Sequence, residues 1–223
     1  MSPLKTNKKY LKKRGITDPW GIYPSPNRGF NQAVIIPSYG ESNYLPKTLS
    51  SLDKNDLKLL QNTLVIVVVN HGENSDEFIK NDNEKTLQFL STTEYSFTLG
   101  IVNAAIPGLE LPSKQAGVGL ARKIGMDLAL PYLTGKKRLF FSTDADTTVA
   151  SHYLKTVLDY FNQHNANAAV VGFCHSVPEK TDLKNTIKEY EEFLLLTARK
   201  LKDAGSPYNY VAMGSTIVCT VEA

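Results

Sequence analysis

The sequence is poor in cysteine and tryptophan and contains no long hydrophobic run. Its two cysteines, Cys174 and Cys219, argue against a disulfide-stabilised secreted scaffold. The longest apolar runs, at residues 64–69 and 168–173, are far shorter than the roughly 20 residues that a transmembrane helix needs. No apolar segment of the kind found in secretory signals follows the basic N-terminus. These absences favour a protein of the reducing cytoplasm.

Several common catalytic signatures are also missing. Ser38 and Ser142 lack the Gly-x-Ser-x-Gly surroundings of an α/β-hydrolase nucleophile. His71 and His175 each follow a predicted strand, but neither belongs to a His/Cys cluster with metal-ligand spacing. The Gly-x-Gly that begins at Gly117 lacks the third glycine of a dinucleotide fingerprint. The sequence therefore disfavours a hydrolase, a zinc site and a typical dinucleotide site.

The net charge of +3 is unevenly distributed. Six basic residues precede Asp18, the first acidic one: Lys5, Lys8, Lys9, Lys12, Lys13 and Arg14. Such a run is typical of a solvated or disordered arm; the alternative is peripheral contact of residues 5–14 with anionic lipid headgroups. Nucleic acid is disfavoured because no basic face interleaved with aromatic residues recurs. Residues 1–30 are thus predicted to be a basic arm and an irregular lead-in, with Trp20 packed on the core.

The remaining residues, 31–223, have the pattern of a single α/β domain. Apolar runs predict strands at residues 33–36, 63–69, 138–142 and 168–173, and residues 97–105 are a further candidate strand. Helical spacing predicts helices at residues 45–52, 76–90, 114–131, 153–161 and 183–201. Pro37 is predicted to end the first strand, because proline cannot donate to the ladder. No repeat or internal linker suggests a second domain.

Residues 138–146 concentrate the chemistry of the chain, because an apolar run ends there in Asp144 and Asp146. Ligands of open α/β sheets bind beyond the carboxyl ends of the strands, and alternation would send both carboxylates to the same side. Two hard oxygen ligands suit Mg²⁺ or Mn²⁺ bridging a diphosphate. Lys114 and Arg122 could supply cations for phosphate oxygens near a glycine-rich helix start. The alternatives are a turn that caps the next helix and a solvated basic helix face.

Four segments, in this order, resemble family 2 glycosyltransferases of the GT-A fold. They are the strand and loop at residues 33–41, the loop after Val69, residues 117–122, and Asp144-Ala-Asp146. The resemblance covers roughly residues 31–223. It implies a GT-A-like, Rossmann-like domain with a mostly parallel sheet and helices on both faces. It further implies metal-dependent transfer of a sugar, with inversion, from a UDP- or GDP-linked donor to the hydroxyl of an unknown acceptor.

The resemblance also implies roles for individual residues. The implied donor-binding residues are Pro37, Tyr39, Glu41, Asn70, Lys114, Gly117, Arg122 and Asp144. Asp146 and Asp144 would bind Mn²⁺ or Mg²⁺, with Asp146 as the more direct ligand, and Gly214 and Ser215 would face the acceptor. Asn70 stands where the family usually has an aspartate that contacts the base; an amide can both donate and accept hydrogen bonds.

The sequence departs from the family at the catalytic base. The family base belongs to an acidic pair beyond the acceptor segment, whereas Glu222 is the only acidic residue after Gly214. The base is therefore expected beyond Ala223, in a domain truncated at its C-terminus. One alternative is a non-catalytic nucleotide-sugar-binding module or inactive transferase. A sugar nucleotidyltransferase is less favoured, because residues 37–41 replace the glycine-rich, arginine-containing loop expected there.

Overall fold

The computed structural model describes residues 3–176, 181–211 and 213–223. Within these residues, the strands are β1 (Ile22–Tyr23), β2 (Gln32–Ser38), β3 (Thr63–Asn70), β4 (Thr98–Ala104), β5 (Leu139–Ser142), β6 (Ala168–Val170) and β7 (Ile217–Thr220). The α-helices are α1 (Pro3–Arg14), α2 (Leu45–Leu52), α3 (Leu57–Leu60), α4 (Glu77–Thr92), α5 (Val118–Ala129), α6 (Tyr153–Gln163) and α7 (Thr181–Asp203). None of the described helices combines the length and apolarity needed to cross a bilayer.

The strands form one sheet in the order β1-β4-β3-β2-β5-β7-β6. Strands β2, β3, β4 and β5 are parallel to their neighbours among themselves, whereas β1 and β7 run antiparallel to the strands beside them. The chain moves outward from β2 to β3 and β4, then returns to place β5 on the other side of β2. That reversal is a topological switch point, where ligands of open α/β sheets bind beyond the carboxyl ends of the strands.

Both faces of the sheet are covered, as predicted. Every residue of β2 and β3 is buried, and successive side chains alternate between two apolar layers. Val34 and Val65 pack in the layer with α2 and α6, whereas Ile35 and Ile66 pack in the layer with α5. Strands buried on both faces carry continuous apolar runs, which is why these two strands were predictable. The expected α/β class, with a mostly parallel central sheet and helices on both faces, is confirmed.

Two predicted boundaries were wrong. β2 continues through Pro37, which pairs with Val68, and ends at Ser38. β5 pairs with β2 only as far as Ile35, so Pro37 lies past the last β2–β5 pair and its missing N–H costs no ladder bond there. The helix predicted at residues 114–131 does not begin at Lys114. Residues 112–116 form a turn in which the amides of residues 115 and 116 donate to Pro112 O, and α5 begins at Val118.

The predicted buried strand at residues 168–173 was also wrong in extent and environment. β6 contains only three residues, and two of them, Ala168 and Val170, are exposed. β6 lies at the edge of the sheet and pairs with β7 alone. The apolar run at residues 168–173 therefore contains an edge strand and not a strand that is covered on both faces.

The basic arm, which was expected to be solvated or disordered, forms helix α1, and this helix docks on α5. Asp127, which is only 3% exposed, accepts hydrogen bonds from Tyr10 Oη (3.0 Å), Ile16 N (2.8 Å) and Lys123 Nζ (2.7 Å). In the lead-in, Trp20 packs against the α5-side core, as predicted, and its Nε1 also donates to Leu109 O at 2.7 Å. The positive charge of the arm could not reveal this docking, because its acceptor lies more than 100 residues away.

Replacing Asp127 by alanine should destabilise the protein by about 1–3 kcal/mol, because the donors of Tyr10, Ile16 and Lys123 lose a buried, charged acceptor. Urea unfolding measures the change. Asp159→Ala is the matched control, since Asp159 forms the same i,i+4 pair with a lysine, Lys155, on the exposed face of α6. That variant should change the unfolding free energy by less than about 0.5 kcal/mol. Equal losses in the two variants would contradict the docking role.

Candidate functional site

A cleft of about 650 Å³ opens at the carboxyl ends of β2, β3 and β5. Its size lies within the range of small-molecule sites. Seven of the predicted site residues line it: Pro37, Tyr39, Glu41, Asn70, Gly117, Asp144 and Asp146. The cleft also contains residues that sequence reasoning missed, namely Gly72, Asn74, Ser75, Asp76, Ser113, Ala116, Val118 and Ala145. Most of the missed residues lie on loops without a hydrophobic period, so only their position directly after a strand or before a helix could have indicated them.

The residue between the two aspartates anchors this part of the cleft. Ala145 is buried, and its carbonyl accepts a hydrogen bond from Thr48 Oγ1 of α2 at 2.7 Å. Asp144 and Asp146 flank it and both line the cleft. Asp146 is exposed and Asp144 is half-buried. Both carboxylates can therefore meet a ligand from the same side.

Arg122 connects the aspartate loop to the segment near the C-terminus. Its Nη2 donates to Asp144 Oδ1 at 2.8 Å. Gly214 packs directly on this guanidinium, since a Cβ at Gly214 would lie 2.8 Å from Arg122 Nη1. Ser215 follows in a short helical turn at Gly214–Thr216. Arg122, Gly214 and Ser215 lie outside the lining of the cleft, and so does Lys114, which is exposed.

Glu41 lies in a negative electrostatic environment. Burial, followed by the charges of Asp146, Asp82 and Asp144, raises the pKa of Glu41 above its usual value. A cation bound near Asp146 would offset that repulsion. No group of three or more His, Cys, Asp or Glu side chains in the described ranges is arranged to hold a metal ion. Two carboxylates nevertheless suit Mg²⁺ or Mn²⁺ when substrate phosphates and water complete the coordination.

Helix α4 holds the loop that carries Tyr39 and Glu41. Gly40 N donates to Asn83 Oδ1 at 3.0 Å, and both the amide and the hydroxyl of Ser42 donate to Asp82. Gly40 has a φ of 67°, and a Cβ there would lie 2.7 Å from Ile79 Cδ1. A side chain at this position would therefore be strained, and the end of the Ile79 side chain would have to move.

Asp82 and Asn83 are supporting residues that the sequence analysis missed. Both are buried polar residues on α4. A buried polar group must find a partner, and here the partners belong to the loop after β2. The sequence feature that could have indicated these two residues is a pair of adjacent polar residues within a weakly amphipathic helix.

Asn70 lines the cleft, and both of its side-chain donor hydrogens are used within the protein. Its Nδ2 donates to Ser38 O and to Val68 O, both at 3.0 Å, which uses both amide hydrogens and fixes the orientation of the side chain. Oδ1 is therefore the only side-chain atom that Asn70 can offer to a ligand, and it can only accept. Asn83 Nδ2 donates to Asn70 O and contacts His71 Nδ1 at 3.1 Å.

His71 supports this network in its neutral form. Because Asn83 donates to Nδ1, the proton of the neutral imidazole lies on Nε2. Burial lowers the pKa of His71, so the ring is uncharged at neutral pH. His71 thus stabilises the loop after β3 and does not add positive charge to the site.

The N-terminus of α5 completes the cleft. Gly117 and Val118 line it, and no side chain caps this end of the helix. The first N–H groups of a helix have no intrahelical partner and carry the positive end of the helix dipole. Arg122, one turn further along, is paired with Asp144, so the start of α5 itself offers the anion site of the cleft.

Glu222 lies near the amino end of β5, whereas the cleft lies at the carboxyl end of this strand. It forms an ion pair with Arg138, which directly precedes β5. Asp144 lies beyond the other end of β5, and six residues of extended chain span roughly 20 Å. The position of Glu222 therefore argues against its being a catalytic base at this cleft.

No family model and no curated protein matches the sequence. Among solved structures, S. aureus TarS in complex with UDP-GlcNAc is 20% identical with a TM-score of 0.45, over 68% of this chain and 39% of that chain. Another TarS structure gives 19% identity and a TM-score of 0.49, over 67% and 23%. The mannosyltransferase PcManGT from Pyrobaculum calidifontis, in complex with GDP-Man and Mn²⁺, gives 20% and 0.41, over 76% and 42%. The matches thus cover less than half of each of these three structures.

Replacing Glu41 by glutamine should stabilise the ligand-free protein at about pH 7. The raised pKa means that the folded state loses stability as pH rises through it, and glutamine removes that penalty. The gain in Tm should vanish below about pH 4, where Glu41 is protonated in both states. Thermal melts across this range measure it, with the exposed Glu94→Gln as the matched control. A gain that is independent of pH would contradict the electrostatic cause.

Proposed function

We propose that the cleft binds a nucleoside-diphosphate sugar together with a divalent cation, as the donor site of a GT-A-like glycosyltransferase. One observation carries the proposal: the switch point of the sheet brings Asp144 and Asp146 into the same cleft as the uncapped start of α5. Carboxylates alone would repel a diphosphate, and a helix start alone would bind any anion. The combination suits a diphosphate that is bridged by a cation.

Each part of the donor has a matching group in this proposal. Asp146 and Asp144 hold Mn²⁺ or Mg²⁺, and the amides of Gly117 and Val118 meet the diphosphate. Arg122 orients Asp144 and adds positive charge. When bound, the cation stabilises the charge that develops on the departing nucleoside diphosphate. By family resemblance the transfer inverts the anomeric centre, and Gly214 and Ser215 lie on the acceptor side.

The fixed amide of Asn70 favours uracil or guanine as the base. Uracil N3–H and guanine N1–H are ring donors, which suit the acceptor Oδ1 of Asn70. Cytosine and adenine have a ring nitrogen that accepts at the equivalent position and would oppose Oδ1. Tyr39, which is half-exposed beside the cleft, offers a ring against which a base can stack. This supports a UDP- or GDP-linked donor.

A second function is favoured by one specific observation. Glu222 pairs with Arg138 near the start of β5, so it is not available as a base at the cleft. A nucleotide-sugar-binding module that does not transfer sugar has the same donor site and needs no base. Turnover separates the two functions, because release of nucleoside diphosphate from a sugar nucleotide by this chain would exclude the non-catalytic module.

Mn²⁺ with UDP or GDP should raise the Tm, and Asp146→Ala should abolish the increase. The reason is mass action: a ligand that saturates the folded state at about 100 times its Kd adds about 2.7 kcal/mol of stability. Thermal shift measures the effect with the cation alone, the nucleotide alone and both together. Asp203→Ala, at the exposed end of α7, is the matched control and should retain the full shift. Absence of a shift with every nucleoside diphosphate would refute the proposed donor site.

The base preference has its own test in the same assay. UDP and GDP, each with Mn²⁺, should shift the Tm of the wild-type protein more than CDP and ADP do. Differences of this kind reflect an unpaired or opposed polar group, which costs roughly 1–3 kcal/mol. Equal shifts with all four nucleotides would leave the diphosphate site intact but contradict the role of Asn70.

A further inference from the structure

Helix α1 has two faces with opposite roles. Tyr10 and Leu11 contact the body of the protein, through Asp127 and the α5-side core. Lys8, Lys9, Lys12 and Lys13 are all exposed. Their spacing of i, i+1, i+4 and i+5 places them on one side of the helix, opposite the docked side. α1 contains no acidic residue.

We propose that this four-lysine face binds the surface of a bilayer that contains anionic lipid. None of the four lysines forms an ion pair within the described part of the chain. The positive charge is therefore available to a partner. Each lysine held near an anionic bilayer strengthens binding to it several-fold at low salt.

The docking of α1 distinguishes this face from a solvated tail. The buried Asp127 accepts hydrogen bonds from Tyr10 of α1 and from Ile16 N just beyond it, and Lys123 of α5 donates to Tyr10 Oη, so the lysines are held in place before they meet a partner. A preorganised face loses less conformational freedom on binding than a disordered arm would. Lys123 adds no charge here, since it pairs with Asp127 at 2.7 Å.

Chemistry favours a lipid surface over nucleic acid as the partner. The four-lysine face carries no aromatic residue on which a base could stack and no arginine for bidentate contacts to bases or phosphates. Point charges on the outer side of one helix suit a diffuse layer of anionic headgroups. The cytoplasmic location predicted from cysteine usage would expose this face to the anionic inner leaflet.

Membrane binding by α1 does not depend on the proposed donor site, but α1 is anchored to the helix that begins at that site. α5 begins at the cleft with Val118 and carries Asp127, the anchor of α1, nine residues later. Nine residues of helix span about 14 Å. Asp127 therefore links a membrane-bound α1 to the helix that begins at the cleft.

Co-sedimentation with vesicles tests the proposal on the full chain. The wild-type protein should bind phosphatidylcholine vesicles only when they contain phosphatidylglycerol, and high salt should release it. Changing Lys8, Lys9, Lys12 and Lys13 to glutamine should weaken binding by about fivefold per residue. Glutamine keeps the helix propensity of α1. The control variant carries the same charge change at four exposed lysines elsewhere: Lys54, Lys85, Lys200 and Lys202.

The possible outcomes separate the explanations. Loss of binding in the α1 variant with retention in the control supports the proposal. Equal losses in both variants would show that net charge alone is responsible and would overturn it. Stronger binding of the wild type to duplex DNA than to the vesicles at equal salt would overturn it in favour of nucleic acid. No vesicle binding by the wild type would also overturn it, whatever the result at the donor site.

Discussion

Parallel pairing of β2 and β3 is the constraint on which the rest of the structure depends. All 15 residues of the two strands are buried between layers of helices. Each fully buried Val, Ile or Leu contributes roughly 1.5–3 kcal/mol, and an unpaired polar group would cost a similar amount. The polar residues that could serve a ligand are consequently placed at the carboxyl ends of these strands. Ser38 and Asn70 stand at those ends.

A second requirement then shapes the cleft, because loops that leave a buried sheet still need partners for their backbone groups. Asp82 and Asn83 of α4 satisfy the amides of Gly40 and Ser42, and Asn70 satisfies the carbonyl of Ser38. Beside them, Arg122 pairs with the side chain of Asp144, and Gly214 packs on its guanidinium. The site is therefore preorganised by buried polar contacts. Its exposed carboxylate, Asp146, is available to a cation and a ligand.

The parts of the fold that could be predicted are those in which local pattern and burial agree. The apolar run of β3 and the helical spacing of α2 and α6 predicted the correct elements, because one physical period dominates each. The length and burial of β6 were predicted wrongly, because an apolar run does not indicate how many neighbours cover a strand. The helix α1 was missed because its charge pattern describes the exposed face and not the docked one.

The sequence by itself determined the α/β class, the positions of the central strands along the chain and the presence of two aspartates at the end of one of them. These features follow from hydrophobic periodicity and turn residues, which act over a few neighbouring positions. Only the tertiary structure decided that Asp127 anchors α1, that Asn70 offers only an acceptor, and that Glu222 lies near the amino end of β5. Each of these depends on contacts between residues distant in the chain, or on which neighbour uses a given hydrogen-bonding group. No local pattern encodes such contacts.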